Sequence, residues 1–408
     1  MLDALLTRPN AAAVGDARPT LLFYCQHSLG IGHLTRSFAL ASALAELFHV
    51  VFLNGGRLPP ELPVPHGIEL IELPPLGMDD GHTVVSRDAG HDVAQALSRR
   101  LALIEGAVRR HRPALVLVEL FPFGRKKFAG EILPLIRWAR NQAGAPALIA
   151  CSLRDILVDS RRDQQHHDDR ARWLADRYFD GVLVHADPSF ARLEDSFHPR
   201  KPMQVPVHYT GYVVPAREKV ARGPRGEHLL VSAGGGIVGE ALFRTALQAR
   251  ALLRKPLPMR LIAGPFLPEA QWLALQQSAQ GVAGVQVLRQ VPDMVAQMRM
   301  ARASISQCGY NTALDIVVAG VPALVVPYEA PGENEQTERA TRMAALGAMQ
   351  RMSAADLDAP QLAAKIEELL MFQPRAAALD LDGASRSAQL LQRMHAAALS
   401  SARPRSTA

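Results

Sequence analysis

The sequence predicts an α/β protein in which two doubly wound, Rossmann-like domains with parallel sheets face each other across a cleft. Three observations predict the two-domain α/β architecture. Short apolar runs alternate with helical patterns along the whole chain, as in βαβ units. The runs are rich in Val, Leu, Ile and Ala, which is typical of parallel strands covered on both faces. Each half of the chain also opens with such a run, followed by a glycine-rich turn and a helix.

The composition limits the classes of protein that are possible. The 408 residues suffice for two or three domains, and 48% hydrophobic with 21% charged residues is typical of a folded globular protein. No apolar run reaches the ~18–20 residues of a membrane-spanning helix. The three cysteines, Cys25, Cys151 and Cys308, are too far apart in the sequence for a disulfide framework or a metal cluster. We therefore expect a cytoplasmic protein.

Ten apolar runs predict the strands. In the first half they are Leu21–Cys25, Val50–Leu53, Ala114–Val118, Ala147–Cys151 and Val182–His185. In the second half they are His228–Ser232, Met259–Ala263, Val285–Leu288, Ala303–Ser306 and Ala323–Val326. The polar segment between the two sets contains Pro, Gly and many charges, which is typical of a linker.

These boundaries predict the domain organisation. We expect an N-terminal tail over 1–20, a first Rossmann-like domain over 21–212, a linker over 213–226, a second Rossmann-like domain over 227–375, a helical segment over 376–400 and a tail over 401–408. The last helix is amphipathic over Ala388–Leu399. It either returns to pack on the first domain, as is common in this fold, or lies on a membrane. Its polar face carries only Arg393, which disfavours the membrane interpretation.

The net charge of +6 is concentrated in two places. Most of the excess comes from the predicted linker and from Arg403 and Arg405 in the C-terminal tail. Because no basic surface is predicted on a folded domain, we do not expect a protein that binds DNA or RNA.

The most informative segment is in the second half. A predicted strand ending at Ser306 enters the turn Gly309-Tyr310-Asn311-Thr312, whose first helical amides would face an anion. One turn further along the helix, Asp315 is placed to accept hydrogen bonds from a sugar diol. Each piece alone is more often ordinary strand–turn–helix packing, but the combined order is specific.

A second helix start follows a proline-containing loop. Glu335, Gln336 and Arg339 lie in its first turns, and the last two share a face because they are three residues apart.

In this order the motifs resemble the nucleotide-sugar site of GT-B glycosyltransferases, above all family 28. That family contains the N-acetylglucosaminyl transferase of peptidoglycan assembly, and uncharacterised predicted glycosyltransferases are related to it. The resemblance covers nearly the whole second half and, more weakly, the first. It implies that the domain over 21–212 binds the acceptor and that the domain over 227–375 binds the nucleotide sugar. It implies an inverting hexosyltransferase that needs no metal or other cofactor and uses a nucleotide diphosphate sugar, with UDP as the expected nucleotide.

The resemblance also implies roles for particular residues. The turn Gly309–Thr312 would hold the donor diphosphate, Asp315 the ribose and Gln336 the donor sugar, with Glu335 and Arg339 beside it. Two residues depart from the family pattern. Asp315 is shorter than the usual Glu, and Arg339 stands where an amide side chain is common.

A glycine run follows the first strand of the second half. Gly234, Gly235 and Gly236, preceded by Ser232, form either a bare turn or a loop that faces phosphate. Because glycine has no Cβ, backbone amides in such a loop can approach a diphosphate closely. The position directly after the strand favours donor binding.

The first half carries the turn Gly30-Ile31-Gly32-His33, followed by Arg36. It resembles a Gly-x-Gly-His-x-x-Arg turn of family 28-like predicted transferases and of a UDP-sugar hydrolase. His33 is therefore a candidate base that deprotonates an acceptor hydroxyl or, in a hydrolase, a water. Gly30, Gly32 and Arg36 would contact diphosphate or acceptor. The alternative is a histidine that only caps or packs, and the adjacent glycines favour the functional role.

Glu119 follows a predicted buried strand and precedes a run with three Phe and three cations, 121–128. At a strand end it is either a second catalytic carboxylate or the group that orients His33. The phenylalanines either belong to the core or contact an anionic, lipid-linked acceptor or membrane surface. Arg154 and Asp155 follow another strand, where they line the same cleft or pair with each other.

A metal site is not expected. His166-His167-Asp168-Asp169 lies in a charged, helical pattern whose neighbouring side chains point in different directions, so a solvated face is favoured. The expected partners are a nucleotide-sugar donor and a small-molecule, glycan or lipid-linked acceptor. A lipid-linked acceptor would place the protein at the inner face of a membrane.

Overall fold

The computed structural model describes residues 18–27, 32–59, 62–79, 83–88, 90–158, 162–216, 223–330 and 333–402. In chain order, the strands of the first half are β1 Thr20–Cys25, β2 His49–Asn54, β3 Ile68–Glu72, β4 Leu76–Met78, β5 Val84–Ser86, β6 Leu115–Glu119, β7 Leu148–Arg154, β8 Gly181–His185 and β9 Val207–Tyr209. The helices among them are α1 Gly32–Leu44, α2 Val93–His111, α3 Ala129–Arg140 and α4 Gln164–Tyr178.

Seven of these strands form one parallel sheet in the order β3-β2-β1-β6-β7-β8-β9, and β4 pairs with β5 as a separate antiparallel hairpin. The jump from β1 to β6 places the ends of these two central strands side by side. Parallel α/β sheets bind ligands at such a switch point, outside the carboxyl ends of the strands.

The second half repeats this plan. Its strands are β10 Leu229–Ser232, β11 Met259–Ile262, β12 Val285–Leu288, β13 Ala303–Ser306, β14 Ala323–Val325 and β15 Gln350–Arg351. They form a parallel sheet in the order β12-β11-β10-β13-β14-β15. Its helices are α5 Glu240–Leu252, α6 Glu269–Ala279, α7 Met294–Met300, α8 Tyr310–Ala319, α9 Glu335–Ala345 and α10 Ala359–Met371, and α11 Gly383–Ala402 ends the described chain.

Both sheets are covered on both faces, as the apolar composition of the strands predicts. Along β1, Leu22 and Tyr24 face one core cluster, whereas Leu21 and Phe23 face another. All four side chains are buried completely. At about 25 cal/mol per Å² of buried apolar surface, such strands contribute a large share of the favourable free energy of folding.

The last helix lies on the first domain. α11 packs against α1, and its Ala388 and Leu391 are buried among first-half side chains. A Cβ on Gly383 would lie 2.2 Å from the carbonyl oxygen of Gly211, so the chain approaches the first half closely where α11 begins. The apolar side of α11 therefore packs on the first domain, whereas the membrane-surface interpretation required it to face a membrane. Among the described residues, no helix is long and apolar enough to span a membrane.

The prediction of the fold class is confirmed, and the ten predicted strands correspond to ten observed ones. The first sheet is larger than predicted, because β3 and β9 extend it at its two edges. β3 alternates apolar and acidic residues and is only half-buried, so it lacks the continuous apolar signal. The predicted domain bounds stay a prediction. Val213, at the start of the predicted linker, is buried and bridges Asp382, whereas 217–222 lie outside the described residues.

Candidate active site

A histidine–carboxylate pair lies at the centre of the first sheet's carboxyl edge. His33 is in the first turn of α1, and Glu119 is the last residue of β6. His33 Nδ1 lies 2.6 Å from Glu119 Oε1. Because an ionised carboxylate can only accept a hydrogen bond, Nδ1 carries the proton and Nε2 keeps a free lone pair. The predicted association of His33 with Glu119 is therefore present in the structure.

Burial and neighbouring charges together set the charge states of the pair. Burial lowers the pKa of His33 to about 4, with Arg125 and Arg154 acting in the same direction and Glu119 opposing them. Burial alone would raise the pKa of Glu119, but His33, Arg36 and Arg125 outweigh it and hold that pKa well below its usual range. Near pH 7 the pair is thus a neutral imidazole on an ionised carboxylate. This is the state that a general base requires.

Arg36 lies one turn further along α1 and is only 2% exposed. Its Nη2 donates to Glu119 Oε1 at 2.6 Å, and its guanidinium lies 5.3 Å from the centre of the Tyr310 ring. The structure thus places Arg36 as an anchor for the carboxylate. Its predicted contact with diphosphate or acceptor stays a prediction.

The glycine turns of the two halves meet near this pair. The Asn311 side-chain amide, in the first turn of α8, donates to the carbonyl oxygen of Gly32 at 3.0 Å. A Cβ on Gly234 would lie 3.6 Å from Thr312 Oγ1. Gly309 precedes α8 as its N-cap, and a Cβ added there would meet no atom within 4 Å. The predicted diphosphate turns therefore share one place, whereas Gly30 lies outside the described residues.

The glycine run after β10 also has a packing role. Gly236 has a left-handed backbone, with φ of 92°, and a Cβ there would lie 2.3 Å from the carbonyl oxygen of Ala263. Gly234 is also left-handed, with φ of 54°, but it is exposed. Ser232 is buried, and its hydroxyl has no hydrogen-bond partner among the described residues. Close backbone packing thus explains Gly236, while Gly234 is exposed and a Cβ there would be in ordinary van der Waals contact with Thr312 Oγ1.

Tyr310 joins the two halves. Its hydroxyl donates to the carbonyl oxygen of His185 and accepts from the amide of Val213, both at 3.1 Å. The ring lies between the guanidiniums of Arg36 and Arg339. Since the residue is only 7% exposed, its backbone amide at the start of α8 is the part left for the predicted donor contact.

Four charged residues form a second interdomain contact, which we call the interdomain charge cluster: Arg154, Asp155, Glu335 and Arg339. Arg339 makes a two-pronged contact with Asp155, at 3.0 and 2.8 Å, and donates to Glu335 at 2.7 Å. Glu335 also pairs with Arg154. Arg154 and Asp155 therefore pair across the domains and not with each other. The contacts of Glu335 and Arg339 with the donor stay a prediction. In the structure both side chains are paired with side chains of the protein itself.

Gln336 and Asp315 complete the predicted donor residues. The side-chain oxygen of Gln336 accepts hydrogen bonds from the amides of Cys308 and Tyr328, at 3.0 and 3.1 Å. It thus ties together the loops that follow β13 and β14. Asp315 lies on α8, one turn after Asn311, and is half-buried.

The segment after Glu119 corrects one interpretation. Phe121, Phe123 and Phe128 are all at most 3% exposed and belong to the core of the first half. The idea that these phenylalanines contact a lipid acceptor or a membrane is therefore wrong. Arg125, in the same run, was not predicted as a site residue. Its Nε lies 3.8 Å from Glu119 Oε2, and the only sequence signal was a cation shortly after an acidic strand end.

Among the described residues, no group of three or more His, Cys, Asp or Glu side chains could hold a metal ion. In the segment 166–169, Asp168 is buried and accepts from the amide of His198 at 2.9 Å, which gives it a structural role.

Comparison with known proteins follows the same division of the chain. Residues 233–394 match the Glycosyltransferase family 28 C-terminal domain. Among curated relatives, the UDP-N-acetylglucosamine--N-acetylmuramyl-(pentapeptide) pyrophosphoryl-undecaprenol N-acetylglucosamine transferase of Halorhodospira halophila is 25% identical over 85% of this chain and 88% of its own. The enzyme of the same name from Thiobacillus denitrificans is 27% identical over 81% and 85%.

Two solved structures resemble the whole chain. The calicheamicin glycosyltransferase CalG4 has a TM-score of 0.55 at 18% identity and covers 95% of each chain. MurG of Acinetobacter baumannii has a TM-score of 0.51 at 18% identity and covers 92% of this chain and all of its own, 100%. At such identities the likeness concerns the fold.

The two parallel sheets and the likeness to the solved structures define the fold as GT-B. The family match in the second half and the curated relatives define the enzyme class, a glycosyltransferase. Within that class the chain resembles family 28, whose C-terminal domain matches its second half. The predicted enzyme class and the predicted resemblance to family 28 are confirmed.

Proposed function

We propose that the protein is an inverting transferase that moves a sugar from a UDP-sugar to a hydroxyl of an acceptor bound by the first domain. The observation that carries this proposal is the neutral His33 held by Glu119, next to the place where the glycine turns of both halves meet. UDP as the nucleotide is supported by the names of the curated relatives, which are UDP-N-acetylglucosamine transferases.

In the proposed reaction, His33 Nε2 takes the proton of the acceptor hydroxyl while the hydroxyl oxygen attacks the anomeric carbon of the donor sugar. The bond between that carbon and the diphosphate oxygen breaks, and UDP leaves. Glu119 holds the proton on Nδ1 and stabilises the imidazolium that forms. General base catalysis of this kind contributes about 10²- to 10⁴-fold to the rate.

The departing diphosphate would be stabilised by the second domain. In this proposal the amides at the start of α8 and those of Gly234 and Gly235 supply the partial positive charge, whereas the Gly236 amide already donates to the Ala233 carbonyl oxygen. Fixed backbone donors of this kind need no reorganisation during the reaction, and their effect is often the largest in catalysis. We therefore propose that no metal is required, with Asp315 on the ribose and the Gln336 side chain near the sugar.

The acceptor is proposed by class alone: a small molecule, a glycan or a lipid-linked sugar. The curated relatives act on a pyrophosphoryl-undecaprenol acceptor, according to their names. A lipid-linked acceptor would place this protein in the cytoplasm at the inner face of a membrane.

Nucleotide binding tests the donor half of the proposal. Calorimetry with UDP, ADP, GDP and CDP should show preferential uptake of UDP, and a hundredfold excess over Kd should raise the free energy of unfolding by about 2.7 kcal/mol. Uptake of none of these nucleotides would refute the proposal.

A second assay separates transfer from hydrolysis. A UDP-sugar incubated without acceptor should release UDP only slowly, and acceptor should accelerate that release. Rapid, stoichiometric formation of free sugar without acceptor would instead identify the protein as a nucleotide-sugar hydrolase in which His33 activates water.

A further inference from the structure

Arg125 is a second candidate ligand-binding group beside the His33–Glu119 pair. It lies in the loop between β6 and α3, where its backbone is left-handed, with φ of 57°. Its side chain is 17% exposed, and its closest carboxylate is Glu119, with 3.8 Å between Nε and Oε2. This distance exceeds that of a hydrogen bond. Within the described residues, no group accepts a hydrogen bond from this guanidinium, and its Nε is buried.

Arg154 brings a second guanidinium to the same edge. It ends β7, the strand next to β6, and Glu119 is in register with Ser152 of β7. Arg154 pairs with Glu335 through one nitrogen, but its Nε is buried and has no partner within the described residues. The charge of Arg154 lowers the pKa of Arg125, in addition to the larger effect of burial, so the two cations lie close enough to repel each other.

The charges around His33 do not balance. The arginines outnumber the carboxylates by four to three: Arg36, Arg125, Arg154 and Arg339 against Glu119, Asp155 and Glu335. Arg36 and Arg339 are each hydrogen-bonded to a buried carboxylate. Arg125 shares Glu119 with Arg36, and Arg154 shares Glu335 with Arg339, so neither has a carboxylate of its own. A largely buried cation that is only partly neutralised is costly, and a bound anion lowers that cost.

We propose that Arg125 and Arg154 form an anion subsite beside His33, which binds a phosphate or carboxylate group carried by the acceptor. This inference rests on the proposed function, because it assigns the His33 side of the cleft to the acceptor. Arg154 ends a strand of the first sheet and Arg125 follows one, whereas the turns proposed for the donor diphosphate belong to the second half. Guanidiniums suit oxyanions because they offer paired N–H donors in a planar fork.

The subsite would also couple acceptor binding to catalysis. Arg125 and Arg154 both lower the pKa of His33, after the larger effect of burial. An anion bound between them cancels part of their field and makes His33 a stronger base. The base would thus gain strength when an anionic acceptor is in place.

The test uses inorganic phosphate and, in parallel, acetate as probes, with thermal unfolding as the readout. Each anion is titrated against the full-length protein in saturating UDP, which fills the donor diphosphate site, with ionic strength held constant by chloride. The variant is Arg125→Gln. Lys127→Gln is the matched control, because it removes the same charge from an exposed residue of the same loop.

At least one probe should stabilise the wild-type protein and Lys127→Gln saturably, and Arg125→Gln should need about tenfold or more of it, since a charge-assisted contact is lost. If Arg125→Gln does not fold, Arg125→Lys replaces it and should show a smaller weakening. Equal titrations of wild type and variant would overturn the subsite. So would the absence of any response, or a wild-type response that appears only without UDP. A failure of UDP to bind would refute the proposed function instead, and would leave a phosphate response that depends on Arg125 intact.

Discussion

The two sides of the cleft use different chemical groups. The second half presents backbone: the glycine run after β10 and the first turn of α8, where Gly309 leaves open space. The first half presents buried, ionised or titratable side chains, with His33 and Arg36 both hydrogen-bonded to Glu119. Backbone amides neither titrate nor change rotamer, whereas a base must exchange a proton. The comparison thus supports the proposal that the second half binds the donor and the first half transfers the proton.

The largest expected effect is on the first-half side. His33→Ala should lower the rate of acceptor-dependent UDP release by about 10²- to 10⁴-fold, because the base is lost. UDP affinity, which depends on the other half, should change by less than about twofold, a difference of under ~0.5 kcal/mol. His166→Ala, at an exposed position on α4, is the control and should keep full activity. Full turnover by His33→Ala would contradict the proposal that the first half carries out the proton transfer.

The contact that joins the two sides gives the next effect. Asp155→Ala leaves the buried Arg339 without its two-pronged partner, and breaking such a buried pair costs about 3–5 kcal/mol in the free energy of unfolding. Urea denaturation measures this loss. As a control, Glu105→Ala removes an exposed pair with Arg109 and should cost at most about 1 kcal/mol. Equal effects of the two substitutions would show that the interdomain charge cluster does not hold the halves together.

Two glycines sharpen the comparison within the second half. Gly236→Ala places a Cβ against the Ala263 carbonyl in a left-handed backbone, so we expect a loss of about 1–3 kcal/mol in the free energy of unfolding. Gly309→Ala meets no protein atom within 4 Å and should keep the stability of the wild type. It should nevertheless weaken UDP binding by about 1–3 kcal/mol, since the new methyl group occupies ligand space. Unchanged UDP affinity in Gly309→Ala would separate this turn from the diphosphate.

The smallest expected effect is that of pH. Burial lowers the pKa of His33 to about 4. Between about pH 4 and pH 6.5 the imidazole is therefore neutral in the folded protein but binds a proton in the unfolded chain. The stability contribution of His33 therefore rises with pH between about 4 and 6.5 and is constant above that range. Between pH 7 and pH 5.5, kcat/KM should change by less than about twofold. A decline of kcat/KM with a midpoint near pH 6.5 would show that the imidazole is solvated in the free enzyme.

The sequence predicts the backbone side of the cleft better than the side-chain side. A glycine turn after a strand is a local pattern, so the positions of Gly234 and Gly309 follow from neighbouring residues. Ion pairs are not local. Asp155 and Arg339 are 184 positions apart, and the residues next to either of them do not indicate which residue it pairs with. For the same reason Tyr310, a member of a predicted donor motif, could not be recognised as the link to His185. Edge strands such as β9 are short and half-buried, which gives them little apolar signal.

A crystal structure of the protein with bound UDP tests the central claim most directly. The claim is that backbone amides of the second half hold a diphosphate opposite the His33–Glu119 pair. We predict that phosphate oxygens lie within about 3 Å of amide nitrogens in Gly234–Gly236 or Gly309–Thr312, on the side that faces His33. A diphosphate bound away from both turns would contradict the account.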